Sequence, residues 1–294
     1  MSAAAVLEAY WSEARRTLDE ALARGVPGPD TVPEVLHEAM RYTLTAPGKR
    51  VRGVLALAAC ELMRGTREMA LPLGCAVEMV HAASLILDDL PSMDDATVRR
   101  GKPVLHRVCG EANAILAAVA LLNAAFATIQ RADLKDRARR EITACLARAI
   151  GADGLIGGQV VDLASTGRRL DLAGLEYVHS HKTGALFIGA AELGALAAGA
   201  RKRDLESLQR YAKNLGLAFQ ITDDLLDYSG SPETTGKDGG MDRDKTTFVD
   251  ICGIGGARRL VDELIDSSLA ALERYGARAQ VLHALAEFVR CRDR

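Results

Sequence analysis

The chain has few aromatic residues and few prolines, and both shortages point to helices. Aromatic residues make up 4% of its 294 residues and hydrophobic residues 49%, so the core must consist mainly of aliphatic side chains and alanine. Alanine and leucine favour helices, and small side chains let helices approach closely. None of the eight prolines lies between Pro103 and Pro232, and strand-like alternation is scarce. The composition predicts an all-α fold.

The sequence also lacks the features of several other protein classes. Its net charge of −2 argues against a nucleic-acid-binding protein. Its six cysteines show no CxxC pair or zinc spacing, so we interpret them as mostly buried, reduced thiols. The N-terminus has no secretory signal, and the longest apolar stretch, residues 114–129, is shorter than the roughly 20 residues needed to cross a bilayer. We expect a cytoplasmic protein without a transmembrane segment.

Helical periodicity recurs along the chain, and no linker, low-complexity tract or internal repeat interrupts it. A single large helical domain over residues 1–294 is therefore expected. The polar, glycine-rich segment from Ser229 to Thr247 predicts a mobile loop. The predicted helices cover residues 3–24, 33–45, 50–64, 70–90, 111–131, 135–150, 171–199, 203–229 and 255–290, with a break near Gly276 in the last.

Two aspartate-rich clusters, Asp88-Asp89-Leu90-Pro91-Ser92-Met93-Asp94 and Asp223-Asp224-Leu225-Leu226-Asp227, are the most informative features. Each follows an apolar stretch that should be buried. Adjacent buried carboxylates are costly without a compensating cation. Magnesium prefers carboxylate oxygens and usually completes its shell with water and substrate phosphates. Two such clusters facing one cavity would hold a diphosphate from both sides.

The spacing within each cluster predicts how its side chains are arranged. Gln220, Asp223 and Asp227 fall at i, i+3 and i+7, which places them on one helical face. Asp88 and Asp94 are six residues apart, so an unbroken helix would point them in different directions. The proline between them removes a backbone donor, and the resulting kink is expected to bring the two carboxylates together.

Positive charge is concentrated in two groups, Lys49-Arg50-Val51-Arg52 and Arg99-Arg100-Gly101-Lys102. Arginines are most often solvated or paired with carboxylates. Here the second group directly follows the first acidic cluster, which favours a role in phosphate binding. His81 shares a predicted helical face with Ser84 and Asp88, and that shared face makes it a site candidate instead of a core histidine.

These motifs, in this order, resemble the trans-prenyl diphosphate synthases, and most closely the bacterial geranylgeranyl diphosphate synthases. The resemblance extends over nearly the whole chain. The matching segments are Gly48-Lys49-Arg50-Val51-Arg52, His81 with the first acidic cluster, Arg99-Arg100-Gly101-Lys102-Pro103, Gly157-Gly158-Gln159 to Asp162, His181-Lys182-Thr183, Gln220 with the second acidic cluster, and Gly236-Lys237-Asp238.

The resemblance implies an isoprenoid synthase fold, which is all-helical with a central cavity between helices, and a homodimer. It also implies a catalytic group and two substrate pockets. Asp88, Asp94, Asp223 and Asp227 would hold Mg2+, three ions per active site, with support from Asp89 and Asp224. The allylic diphosphate would be bound by Arg99, Lys182, Thr183, Gln220, Lys237 and Lys245, and the diphosphate of isopentenyl diphosphate by Lys49, Arg52, His81 and Arg100.

The implied reaction is chain elongation of an allylic diphosphate by isopentenyl diphosphate. A farnesyl diphosphate synthase is an alternative, and a terpene cyclase or a noncatalytic synthase subunit are further ones. A cyclase typically has a mixed second metal motif and needs no second diphosphate pocket, whereas noncatalytic subunits usually lose acidic motifs. The first acceptor, whether dimethylallyl, geranyl or farnesyl diphosphate, stays open, as does the pathway served.

Product length is expected to depend on the helix face before Asp88. Related bacterial enzymes that stop at fifteen carbons typically have a large aromatic residue five positions before the first aspartate, where this chain has Ala83. The growing tail would run past Ser84, Ala83 and Val80, and the small side chain at Ala83 predicts a twenty-carbon product. Ala83 could instead serve only helix packing, with residues near Leu121 and Phe126 setting the limit.

Overall fold

The computed structural model describes residues 3–229 and 245–292, and most of them lie in helices. A short antiparallel hairpin pairs β1 (Val98–Arg99) with β2 (Lys102–Pro103). The helices are α1 (Ala3–Gly25), α2 (Glu34–Leu44), α3 (Val51–Leu62), α4 (Arg67–Asp88), α5 (Leu105–Cys109), α6 (Glu111–Arg131), α7 (Asp136–Ile150), α8 (Leu155–Ala164), α9 (Leu172–His179), α10 (Ala185–Ala197), α11 (Lys202–Ser229), α12 (Phe248–Leu272) and α13 (Gln280–Cys291).

The all-α prediction is confirmed, and its errors lie at helix ends and interruptions. The predicted helix 171–199 is broken by a π-helical segment, Ser180–Gly184, and α8 was not predicted at all. The last predicted helix begins earlier, at Phe248, and the predicted break near Gly276 coincides with a positive φ of 54° at that glycine. Most of the predicted mobile loop, residues 230–244, lies outside the described residues.

The core is one continuous cluster of buried side chains from the described helices other than α8, whose Leu155 packs against it. The helix α4 packs against α3, α6 and α10, and α11 packs against α12. Small residues allow the close approaches that the composition predicted: a Cβ on Gly194 of α10 would lie 1.9 Å from the carbonyl oxygen of Ala56 in α3. One continuous core is compatible with a single domain, and the domain count stays a prediction.

Burial separates the six cysteines into two groups. Cys60, Cys75 and Cys145 are buried as predicted, whereas Cys109 and Cys252 are half-buried and Cys291 is exposed. All six are free thiols.

Three helical segments of the described chain are long and apolar enough to cross a membrane by length and composition alone: Arg67–Asp88, Glu111–Arg131 and Asp136–Ala164. The apolar stretch 114–129 lies within α6, a helix of 21 residues. The argument that this part of the chain is too short to cross a bilayer was therefore wrong. Within the fold, 67% of the apolar window in Arg67–Asp88 is buried against other helices.

Candidate active site

The first acidic cluster lies at the C-terminal end of α4. The helix ends at Asp88, so Pro91 lies in the turn that follows it. The prediction that this proline kinks the helix was wrong. In this turn the amide of Asp94 donates a hydrogen bond of 2.9 Å to the carbonyl oxygen of Asp88. The chain thus reverses within six residues and brings Asp94 back to Asp88. The prediction that these residues come together is confirmed, but by a helix end.

Charge is only partly balanced in this cluster. Burial, partly offset by Lys182, raises the pKa of Asp88 to about 6, and the nearby Asp94 adds to the rise. Asp89 is buried, and Arg99 holds it with Nε and Nη2 both 2.7 Å from Oδ1. Arg99, predicted to contact the allylic substrate, therefore anchors an aspartate beside the site in this structure.

Two lysines predicted to bind the allylic diphosphate share one carboxylate. Lys182 Nζ lies 2.6 Å from Oδ2 of Asp162, and Lys245 Nζ lies 3.4 Å from the same oxygen and 3.0 Å from Oδ1 of Asp94. The two ammonium groups lower the pKa of Asp162 against the opposing effect of burial. Asp162 belongs to a motif noted in the sequence, but its role in holding both lysines was missed.

A close contact between two helices positions Lys182. A Cβ on Gly158 of α8 would lie 2.2 Å from the amide nitrogen of Lys182, so only glycine lets α8 approach the π-helical segment this closely. A π-helical turn shifts the register of the side chains that follow it, and such turns are frequent at functional sites. Gly158 of the sequence motif thus has a structural explanation: it brings the carboxylate of Asp162 on α8 within reach of Lys182.

The second acidic cluster lies near the end of α11, which is continuous through residue 229. Gln220, Asp223 and Asp227 therefore share a helical face, as the spacing predicted. Asp224 has a different role: its carboxylate accepts hydrogen bonds from Gln220 Nε2 at 3.1 Å and from the amide of Phe248 at 3.0 Å. Phe248 is the first residue of α12, so Asp224 ties the start of that helix to the site.

Neutral oxygen atoms lie beside this cluster. The hydroxyl of Thr183, in the π-helical segment, donates to Oε1 of Gln220 at 3.4 Å. This contact confirms that two residues predicted to act together on the allylic substrate are neighbours. Both place polar atoms without a net charge beside the second acidic cluster.

A C-terminal arginine that the sequence did not single out also reaches the second cluster. Arg292 Nη1 lies 2.8 Å from Oδ1 of Asp223, and its guanidinium lies over the ring of Phe219, 4.6 Å from the centroid. No sequence motif marks this arginine. Only the docking of α13 places its end beside α11.

The predicted isopentenyl pocket lies between the beginning of α3 and the second half of α4. Arg52 is 3.5 Å from Nε2 of His81 and lies 4.8 Å from the ring centroid of Phe187. Burial lowers the pKa of Arg52 to about 10, so it stays charged at neutral pH. Burial also lowers the pKa of His81, and Arg52 contributes, which keeps the imidazole neutral.

The remaining two basic residues complete this pocket. Arg100 lies against Gly48, since a Cβ there would be 3.1 Å from Arg100 Nη1. Burial lowers the pKa of Lys49, and Arg292 contributes to the shift whereas Asp223 opposes it. These electrostatic effects place the basic pocket next to the second acidic cluster. The four residues predicted to bind isopentenyl diphosphate therefore lie together. Lys237, predicted to bind the allylic diphosphate, lies outside the described residues.

The donor set suits magnesium that binds together with a diphosphate. Within residues 3–229 and 245–292, no three acidic, histidine or cysteine side chains converge as a closed metal cage. Mg2+ usually takes only one or two carboxylates and leaves its other positions to water and phosphate. Cationic side chains already contact two of the four predicted ligands, Asp94 and Asp223. Their contacts show that these carboxylates attract a cation, and the residues present fit the metal.

The predicted product-length residues lie on α4 before the first acidic cluster. Ala83 and Val80 are almost completely buried, at 0% and 1% exposure, and Ser84 is partly exposed. The Ser84 hydroxyl donates to the carbonyl oxygen of His81 at 2.9 Å, one turn earlier on the same helix. On α6, Leu121 is fully buried and Phe126 is partly so.

Comparison with known proteins agrees with this arrangement. Residues 33–270 match the family model described as polyprenyl synthetase. A chloroplastic geranylgeranyl pyrophosphate synthase from Capsicum annuum is 45% identical over 267 residues, covering 89% of this chain and 72% of the relative. A geranylgeranyl diphosphate synthase from Cyanophora paradoxa is 40% identical over 285 residues, covering 95% of this chain and 94% of the relative.

Solved structures show the same fold. The apo FPP/GFPP synthase from Zymomonas mobilis superimposes with a TM-score of 0.88 at 35% identity, covering 98% of this chain and all of its own. The geranyltransferase from Helicobacter pylori, complexed with magnesium and isoprenyl diphosphate, superimposes with a TM-score of 0.85 at 29% identity, covering 95% of this chain and 94% of its own. The chain is an enzyme of the polyprenyl synthetase family.

Proposed function

We propose that the protein is a geranylgeranyl diphosphate synthase, which condenses isopentenyl diphosphate with an allylic diphosphate. The observation that supports this proposal is the presence of two separate groups of basic side chains. One lies beside the first acidic cluster and contains Lys182 and Lys245. The other is the basic pocket around Arg52 and His81. A reaction that joins two diphosphates needs both.

The first site is suited to ionising the allylic substrate. Breaking the carbon–oxygen bond leaves an allylic cation and a highly charged diphosphate, and fixed cations stabilise the leaving group. Mg2+ bound to Asp88, Asp94, Asp223 and Asp227, three ions in our proposal, would supply Lewis acidity at the diphosphate oxygens. Lys182 and Lys245 would add direct charge. Asp162 holds both ammonium groups in place before the diphosphate binds.

The second site orients the double bond of isopentenyl diphosphate toward the allylic carbon. The π electrons of that double bond form the new carbon–carbon bond. Loss of a proton to the released diphosphate then gives an allylic diphosphate five carbons longer. Thr183 and Gln220 present oxygen dipoles that stabilise the cation without adding covalently to it, since their atoms carry no full charge.

The other functions proposed from the sequence fit this site less well. A terpene cyclase binds one diphosphate, and the second pocket around Arg52 would then have no ligand. A noncatalytic subunit would not need four carboxylates in two intact clusters. Turnover by the purified protein alone, with magnesium and both diphosphates, distinguishes these three functions.

A twenty-carbon product is the finer part of the proposal. Each isoprene unit adds five carbons, and their burial contributes on the order of 3–4 kcal/mol, so affinity alone does not stop elongation. A steric limit must therefore stop elongation. The small side chain of Ala83 leaves that limit deeper than an aromatic residue would. The two geranylgeranyl diphosphate synthases described above support this length, and a farnesyl diphosphate synthase remains the alternative.

We also propose a cytoplasmic homodimer without a membrane-spanning segment. Six free thiols suit a reducing compartment. The helix α6 exposes Ile115, Leu116 and Val119 to 42%, 58% and 56%, and a groove of about 490 Å3 lies beside them against α2. Contiguous exposed apolar residues of this kind mark association surfaces. A second copy of the chain would cover this face.

Metal dependence is the first prediction. Excess chelator should reduce turnover to background, because the acidic clusters then lack the charge that binds a diphosphate. Asp88→Asn should lower turnover by about a hundredfold or more while the far-UV circular dichroism is unchanged. Asp95→Asn, beside the cluster but not in it, is the matched control and should keep nearly normal turnover. Full activity in chelator would overturn the metal assignment.

The two diphosphate sites should respond separately to substitution. Arg52→Ala should raise the KM for isopentenyl diphosphate by about tenfold or more and leave the KM for the allylic substrate within about threefold, because a charge-assisted contact is lost at one site. Lys182→Ala should show the reverse pattern. Steady-state kinetics with each substrate varied in turn measures both constants. Equal losses for both substrates would mean that the pockets are not separate.

Product length should shift when the tail region is narrowed. Ala83→Tyr should change the main product from twenty to fifteen carbons, as measured by chromatography of the dephosphorylated alcohols. Ala83→Ser keeps a small side chain and should still give the twenty-carbon product. If an active, folded Ala83→Tyr variant made an unchanged product, Ala83 would serve packing only.

The oligomeric state is tested by charging the α6 face. Leu116→Glu combined with Val119→Glu should convert a dimer to a monomer in sedimentation velocity, because two charges would be buried at the contact. The control is Ile254→Glu, at an exposed apolar residue of α12. A wild-type protein that sediments as a monomer at micromolar concentration would rule out the proposed dimer.

A further inference from the structure

The loop between α2 and α3, residues 45–50, carries Lys49. The next residue, Arg50, holds this loop in place. The Arg50 side chain is buried, at 4% exposure. Its Nη2 donates to the carbonyl oxygens of Leu44 at 2.8 Å and Ala46 at 3.0 Å, and its Nε donates to Asp19 at 2.7 Å. One side chain therefore fixes the loop's course and ties it to α1.

The loop's main chain is strained where it enters α3. Arg50 has φ 51° and ψ 34°, the left-handed conformation that non-glycine residues rarely adopt. Such a conformation persists only where surrounding contacts hold it. It turns the chain so that Lys49 points away from the core while Arg50 points into it.

A longer α3 would join the amide of Gly53 to the carbonyl oxygen of Lys49, but here each group has another partner. The Gly53 amide donates to Oε1 of the buried Glu78 at 2.9 Å. The Lys49 carbonyl oxygen accepts a hydrogen bond from Nε1 of Trp11, on α1, at 2.9 Å. These two side chains separate Lys49 from the helix and set the direction of its main chain.

We infer that Trp11 is a positioning residue for the second diphosphate: its indole N–H holds the Lys49 main chain so that the lysine ammonium is aimed at isopentenyl diphosphate. The inference rests on the proposed function, which places that substrate at Lys49. Lysine is a flexible point charge on a long stem, so fixing its main chain reduces the freedom lost when it binds phosphate. A phenylalanine would pack in the same place but could not make this bond.

Trp11 also connects the loop to the C-terminal helix. Its ring lies 5.6 Å from that of Phe288 on α13. One turn later on α13, Arg292 contacts Asp223 at 2.8 Å. The first and last helices thus meet beside the basic pocket and the second acidic cluster, which explains how residues so distant in sequence can influence one substrate site.

The test is Trp11→Phe, which keeps an aromatic ring and removes the donor. Loss of one hydrogen bond should raise the KM for isopentenyl diphosphate by about threefold to tenfold. The kcat and the KM for the allylic substrate should stay within about twofold of wild type. Phe288→Leu is the matched control: it disturbs the packing but keeps the N–H bond, and it should leave the isopentenyl KM nearly unchanged.

Trp11 is the single tryptophan of the chain, so tryptophan emission reports on the surroundings of this side chain alone. Titration of wild-type protein with isopentenyl diphosphate, without allylic substrate, should give a saturable change in emission, and Arg52→Ala should lose it at the same concentrations. The inference is overturned if Trp11→Phe leaves the isopentenyl KM unchanged, or if calorimetry detects binding without any change in emission. A wild-type protein that does not turn over isopentenyl diphosphate would instead overturn the proposed function.

Discussion

The structure depends on bringing carboxylates from distant parts of the chain together in a partly buried place. Lys245 joins Asp94, just after α4, to Asp162 of α8, and Arg292 contacts Asp223 near the end of α11. Burial raises the pKa of Asp88 to about 6, and the nearby Asp94 adds to the rise. In the proposed function a divalent cation and a diphosphate complete this group of charges, and the helices around it must be rigid enough to maintain it.

That rigidity comes from close helix packing and from polar contacts that do not take part in the chemistry. Gly158 lets α8 approach the π-helical segment, so Asp162 can hold two lysines. Asp224 fixes the beginning of α12, where Thr247 and Asp250 form a capping box. Asp89 and Asp224, next to the proposed ligands, thus have the supporting roles that the resemblance implied.

The basic pocket shows the same division within a single motif. Arg52 and His81 lie together and face the site, whereas Arg50, between Lys49 and Arg52 in the sequence, is buried and holds the loop. The two arginines make different contacts because Arg50 is left-handed and precedes α3, whereas Arg52 lies within that helix. From the sequence alone the three basic residues of this motif are hard to rank, since each has the charge that a phosphate site requires.

Helix content, the location of both acidic clusters and the shared face of Gln220, Asp223 and Asp227 were determined by local sequence, because periodicity and propensity act over a few residues. Tertiary structure alone decided that α4 ends at Asp88, that a π-helical turn carries Lys182 and that Lys245 reaches Asp94. It also decided that Trp11 and Arg292, near opposite ends of the chain, meet the site. These contacts join residues far apart in the sequence. Their geometry depends on how whole helices pack, and no local sequence pattern predicts that packing.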